Sequence, residues 1–138
     1  HEISRACCRM DEITNRRIIV VDDDAANRDS MKALLESAGL DANVFCSAEE
    51  MLGASDLHDQ NCLLLDINLP GVDGIEATKI LARKSVDIPV ILITGHAELA
   101  DKARSGNTGA IAVFEKPLND QVLLDTVARA VSKRFPST

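Results

Sequence analysis

Leu63-Leu64-Leu65-Asp66-Ile67-Asn68-Leu69-Pro70-Gly71 is the stretch that decides how this chain folds. A continuous apolar run closed by a Pro-Gly turn predicts a strand buried on both faces. The run ends in one carboxylate, so Asp66 is expected at the carboxyl end of that strand. In open α/β sheets this edge is where ligands bind. Aspartate is also a common turn residue. Asp66 alone therefore does not separate a strand-end turn from a reactive group.

The flanking sequence extends the pattern. Arg17–Val21 is a β-branched run closed by Asp22-Asp23-Asp24 and predicts a buried first strand. Met31, Leu34, Leu35 and Ala38 follow at helical spacing, with Gly39 as a stop. Residues 43–46 predict a short second strand, and Ser47 with Glu50 form a capping box for the next helix. Beyond Asp66, the turn 70–74 leads to a helix bearing Ala77, Ile80 and Leu81. Residues 89–94 give a fourth strand, apolar until Thr94. Residues 110–114 give a fifth, followed by Glu115-Lys116-Pro117. A last helix begins near Leu118, with Leu124, Val127, Ala128 and Val131 on one face. Residues 97–108 have little apolar surface and carry Gly106-Asn107, so a short, frayed helix is expected there.

Five strands alternating with helices predict an α/β fold, a doubly wound five-stranded parallel sheet of order 2-1-3-4-5. The chain of 138 residues has the size of one domain. Aromatics are only 2%, so the core falls to Ile, Leu, Val and Ala. The net charge of -7 with no basic stripe argues against nucleic-acid binding by this segment. No apolar run approaches the length of a membrane span. Cys7, Cys8, Cys46 and Cys62 lack zinc spacing. Cys46 and Cys62 sit in apolar runs and are expected as buried free thiols, which fits a reducing, cytoplasmic setting. Residues 1–15 read as a leader and 135–138 as a tail or the start of a linker.

The polar residues at the strand ends form a constellation. Order 2-1-3-4-5 makes the ends of strands one, three, four and five neighbours, which brings Asp22, Asp23, Asp66, Thr94 and Lys116 to one hollow. Three close carboxylates need a cation to remain ionised together. An oxygen-only site with room for water suits Mg²⁺. One aspartate could then act as a nucleophile and form an acyl phosphate. Lys116 would neutralise charge on the phosphoryl oxygens, and Thr94 would donate a hydrogen bond to one of them. The bland alternatives are that Asp22 or, better, Asp24 caps the first helix, that Thr94 is an ordinary strand residue and that Lys116 is a solvated charge. Jointly these require five coincidences at adjacent strand ends.

Val20-Val21-Asp22-Asp23-Asp24, Leu65-Asp66 with Pro70-Gly71 and Gly74, Ile93-Thr94-Gly95-His96 and Glu115-Lys116-Pro117 together resemble the receiver domain of bacterial two-component response regulators. The Thr-Gly-His and Glu-Lys-Pro forms are most similar to FixJ-type receivers within this CheY-like family. The resemblance covers about Arg17 to Arg134, within an expected receiver domain of residues 16–134. It implies that Asp66 is the phosphoacceptor for a histidine kinase or phosphotransfer protein. It implies an acidic pocket of Asp22 and Asp23, with Asp23 the direct ligand of Mg²⁺, completed by Asp66 and the backbone carbonyl of Asn68. Thr94 and Lys116 would hold the phosphoryl group, and the Lys116-Pro117 bond would be cis. Such a domain is a signalling module rather than an enzyme, although it assists its own Mg²⁺-dependent phosphotransfer and dephosphorylation. A homodimer is a further partner the resemblance allows.

The sequence departs from the family where the signal would leave the domain. The strand-five position three before the lysine, an aromatic in the family, is Val113. Its neighbour Phe114 should point to the opposite face unless a bulge shifts the register. Leu118 stands where the family often has Phe. These departures favour one alternative, a pseudo-receiver that serves only as an interaction module. A haloacid dehalogenase-type phosphatase is disfavoured because Ala26 stands where its motif needs a hydroxyl. A flavodoxin is disfavoured because Asp22-Asp23-Asp24 would repel a flavin phosphate.

Overall fold

The computed structural model describes residues 16–134, without the side chains of the last two. Cys7, Cys8 and the rest of the leader, and the tail 135–138, lie outside the described residues. The strands are β1 (Arg17–Val21), β2 (Asp41–Phe45), β3 (Cys62–Asp66), β4 (Val90–Thr94) and β5 (Ala112–Glu115). All pair in parallel in the order β2-β1-β3-β4-β5, as the alternating pattern predicts. The helices are α1 (Ala25–Ser37), α2 (Ala48–Leu52), α3 (Gly74–Arg83), α4 (Ala97–Ser105) and α5 (Asp120–Arg134).

The pleat divides the core into two layers. Ile19, Val21, Leu63, Leu65, Val90 and Leu92 pack with Ala77 and Leu81 of α3 and Ala103 of α4. Ile18, Val20, Leu64, Ile91 and Ile93 pack with Leu35 of α1 and Leu123, Val127 and Val131 of α5. Every residue of β3 and β4 is buried, which is why these strands read as unbroken apolar runs.

Local signals set the helix starts. Asp24 caps α1 through the Ala26 and Asn27 amides at 2.8 and 3.3 Å. Ser47 caps α2 through Glu50 N–H, and Asp73 caps α3 through Glu76 N–H. The Glu50 carboxylate reaches back to Cys46 N–H at 3.4 Å rather than to the cap residue itself. Asn119 accepts from Val122 N–H at 3.0 Å, so α5 opens at Asp120 and not near Leu118. Helix α4 is nine residues long and ends before Gly106-Asn107, where Asn107 takes a positive φ of 52°.

Other expectations shift. β5 begins at Ala112 rather than at residue 110. Ala38 and Ala128 are exposed, because α1 has ended at the first and Leu123 and Ala130 complete the inner face of α5 around the second. Cys62 is buried as expected, but Cys46 is exposed. It lies just past the end of the edge strand β2, with its thiol 3.7 Å from the Glu50 carboxylate. Burial pushes the Cys62 thiol up to about 12.

One glycine fixes how α3 leaves the sheet. A Cβ on Gly74 would lie 2.6 Å from the Asp66 carbonyl oxygen and 2.7 Å from Ile67 Cα. The first turn of α3 therefore rests directly on the backbone that carries Asp66. Replacing Gly74 with alanine should force that turn away and cost about 1–3 kcal/mol, measured by urea denaturation. Peptide mapping after alkylation of the native protein should find Cys46 modified and Cys62 untouched until denaturant is added.

Candidate functional site

The strand pleat brings the charged side chains together. Val20, Leu64 and Phe114 face the α1/α5 layer, and two residues beyond each stand Asp22, Asp66 and Lys116. A parallel sheet with this parity sends all three to the same side of its carboxyl edge. Thr94 follows Val90 and Leu92 and continues the opposite layer.

The Lys116 ammonium lies between two carboxylates, 3.1 Å from Asp22 Oδ2 and 3.0 Å from Asp66 Oδ2. Its backbone N–H donates to the Thr94 carbonyl at 2.8 Å, which fixes where the side chain starts. The Lys116-Pro117 bond is cis, the form the resemblance implies. Asp22 is 4% and Asp66 6% exposed, whereas Asp23 stands at the exposed rim. One carboxylate oxygen from each of the three lies within 4.8 Å of the others. This is an aspartate cluster that could hold a metal ion: the donors are hard oxygens, and one ammonium faces three carboxylates.

The remaining oxygens are also held. Asp66 Oδ1 accepts from Asn68 N–H at 2.9 Å. Asp22 Oδ1 accepts from Asp24 N–H at 2.9 Å, and Arg28 donates to the Asp22 carbonyl at 2.7 Å. Asp22 thus braces the turn before α1 without capping the helix, which Asp24 does. Thr94 is wholly buried, and its hydroxyl accepts from His96 N–H at 3.1 Å.

Burial raises the Asp66 carboxyl above its ordinary range and the nearby Asp22 charge adds to this; the Lys116 and Asn68 hydrogen bonds oppose it without cancelling it. For Lys116, burial works against the ammonium, but the hydrogen bonds to Asp66 and Asp22 and their charge together outweigh it, so the lysine titrates above its usual value.

All six expected site residues lie at this end of the sheet. Asp22, Asp23, Asp66 and Lys116 form one cluster, Asn68 joins through its amide, and Thr94 is turned to the α4 side. Three contributors escaped the sequence reading. His96 reads there as a loop residue, but its Nε2 lies 3.2 Å from the Asn68 amide nitrogen, linking the β3–α3 and β4–α4 loops. Arg28 belongs to no motif, and Glu49, on α2, accepts from Val72 N–H at 3.2 Å. Arg28 and Glu49 have no sequence signal, because each acts on backbone, whereas His96 stands in the Thr-Gly-His form without a role read for it there. Beside the cluster, a cleft lined by Asp22, Lys116, Met31, Leu34, Leu118 and Leu123 opens between α1 and the β5–α5 loop.

Residues 18–128 match the family model for the response regulator receiver domain. The chain is 39% identical over 120 residues to nodulation protein W of Bradyrhizobium diazoefficiens, covering 87% of this chain and 53% of that protein. It is 34% identical over 124 residues to the transcriptional regulatory protein FixJ of the same organism, covering 90% and 60%. The chain thus spans little more than half the length of these relatives. Among solved structures, a CheY-like receiver domain protein from Methanospirillum hungatei superposes with a TM-score of 0.75 at 32% identity, over 86% of this chain and 95% of that one.

The raised Asp66 carboxyl has a stability consequence. The folded state holds this proton where the unfolded chain, at an ordinary value of 3.8, has already released it. The resulting contribution is full below that pH and lost as pH rises through the folded value. Without divalent cations, Asp66→Asn should therefore gain stability relative to the parent as the pH rises from 4 to 7. Urea denaturation should show the gain shrinking as the pH falls towards 4.

Proposed function

The chain belongs to the response regulator receiver domain family, and on that footing we propose that Asp66 is its phosphoacceptor, loaded by a histidine kinase or phosphotransfer protein. The observation that carries this reading is the placement of Lys116 Nζ 3.0 Å from Asp66 and 3.1 Å from Asp22, with Asp23 closing the cluster. The receiver unit is 16–134, somewhat wider than the matched residues.

In this reading an Asp66 oxygen attacks the phosphorus of a phosphohistidine. The P–N bond breaks, the imidazole departs with the electron pair and takes up a proton, and an acyl phosphate remains on Asp66. Asn68 N–H holds Asp66 Oδ1 and so orients the carboxylate. Lys116, itself 27% exposed at the side chain, is long enough to turn from the carboxylates to the arriving phosphoryl oxygens and offset their charge. Thr94 supplies a hydroxyl to the same oxygens once it swings from its His96 contact. Asp22, Asp23, Asp66 and the Asn68 carbonyl would hold Mg²⁺, which when bound supplies positive charge to the carboxylates and to the phosphoryl oxygens.

Receiver domains are signalling domains, and this one would assist only its own phosphorylation and dephosphorylation. No helix among the described residues is long and apolar enough to cross a membrane; we place the protein in the cytoplasm with its kinase partner. The likeness to FixJ, by name a transcriptional regulatory protein, points to gene control as the output, with nucleic acid contacted by residues other than these. A homodimer formed through α4, β5 and α5 would be the means of response. Neither the fold nor the comparisons favour the interaction-only alternative.

A small phosphodonor with Mg²⁺ should add one phosphoryl group, seen by intact-protein mass spectrometry. Asp66→Asn should abolish the adduct and EDTA should suppress it. Lys116→Ala should slow its formation by about 10²-fold or more. Unchanged phosphorylation of Asp66→Asn would overturn the assignment.

A further inference from the structure

The loop that follows Asp66 is held from outside by one side chain that belongs to no receiver motif quoted above. Within the loop, Leu69 and Gly74 amides both donate to the Ile67 carbonyl, at 3.0 and 2.9 Å, and Asn68 N–H donates to Asp66. Val72 N–H has its partner elsewhere: Glu49 Oε2 on α2, at 3.2 Å. The same carboxylate lies against the α-carbon of Gly71. A Cβ there would collide with Glu49 Oε2 and approach its Cδ to 3.3 Å. Gly71 also has a φ of 76°, so the backbone conformation favours glycine, and the missing side chain leaves the Glu49 carboxylate room to sit there. Glu49 is exposed, and one exposed hydrogen bond adds little to global stability. Its effect is local, because the loop tip it grips begins three residues after Asn68.

We propose that Glu49 is a positioning residue for the Asp66 centre. By gripping Gly71-Val72 it keeps the β3–α3 loop folded against α2, and so keeps the Asn68 backbone oriented towards the cation and phosphoryl site. This rests on the reading that Asp66 and Asn68 belong to that site. The neighbouring Glu50 turns back to Cys46, so the two adjacent glutamates have separate tasks.

The test compares the parent protein with Glu49→Ala and Glu49→Gln over residues 1–138. Hydrogen exchange of the Val72 amide, followed by NMR without metal, should quicken in Glu49→Ala and stay near the parent in Glu49→Gln, whose amide oxygen still accepts. Calorimetric titration with MgCl₂ should show affinity about three- to fivefold weaker in Glu49→Ala, the scale of one modest hydrogen bond. Glu49→Gln should bind within about twofold of the parent. Phosphorylation by a small phosphodonor at saturating Mg²⁺ should be nearly equal in all three. Equal Mg²⁺ affinity in parent and Glu49→Ala would overturn the proposal and leave the function intact. Equal weakening in Glu49→Gln would also overturn it, because the effect would then be long-range charge. Absence of saturable Mg²⁺ binding in the parent would instead overturn the reading of the site itself.

Discussion

The ammonium of Lys116 held between Asp22 and Asp66 is the constraint on which the rest of the structure turns. Two buried carboxylates, with a third at the rim, cannot share one end of a sheet as charged groups without positive charge among them. The lysine comes from β5, the aspartates from β1 and β3. The contact therefore exists only when β4 lies between β3 and β5 and the strands keep their register. The Lys116 N–H to Thr94 carbonyl bond continues the β4–β5 pairing one step past the strand and sets the root of the side chain. Sheet topology and site electrostatics are thus the same arrangement seen at two scales.

The two-layer core explains why the site is polar on one edge only. Each central strand is apolar to its last residue and then changes character within one position. At the opposite end of the sheet, the polar Asn61 side chain is spent on structure: its Oδ1 receives the Arg17 amide of β1 at 2.6 Å. A buried side chain there replaces a missing ladder bond. At the carboxyl end, carboxylate and ammonium groups meet one another instead, which leaves them available to an incoming anion once a cation joins.

Much of this was readable from the residues. Apolar runs of strand length closing in charge located Asp22, Asp66 and Lys116, and strand order brought them together. Cap residues such as Asp24 and Ser47 carried their own local signal. Where structure and sequence pattern differ, each difference has a physical reason. Cys46 looks like core in a one-dimensional pattern, but β2 is an edge strand and the chain has left it by that residue. The start of α5 differs because Asn119, and not the apolar spacing, sets its first turn. The contacts of Glu49, Arg28 and His96 carry no signal because their partners are a backbone amide, a backbone carbonyl and a distant loop, and no spacing rule encodes those.

The register of β5 bears on how movement could leave the site. Ile93 pairs with Phe114 and Leu92 with Val113 without a bulge, so the ring belongs to the α1/α5 layer and the valine to the α3/α4 layer. A valine branches at Cβ and is stiff about χ1, whereas a ring on a single methylene can turn over. Val113 therefore gives its layer no swivel between strand and helix. Arg104 of α4 already ties the Val113 carbonyl at 3.0 Å, like a spoke between hub and rim. Displacement on that flank would have to be borne by the helix as a whole, with the guanidinium as its lever.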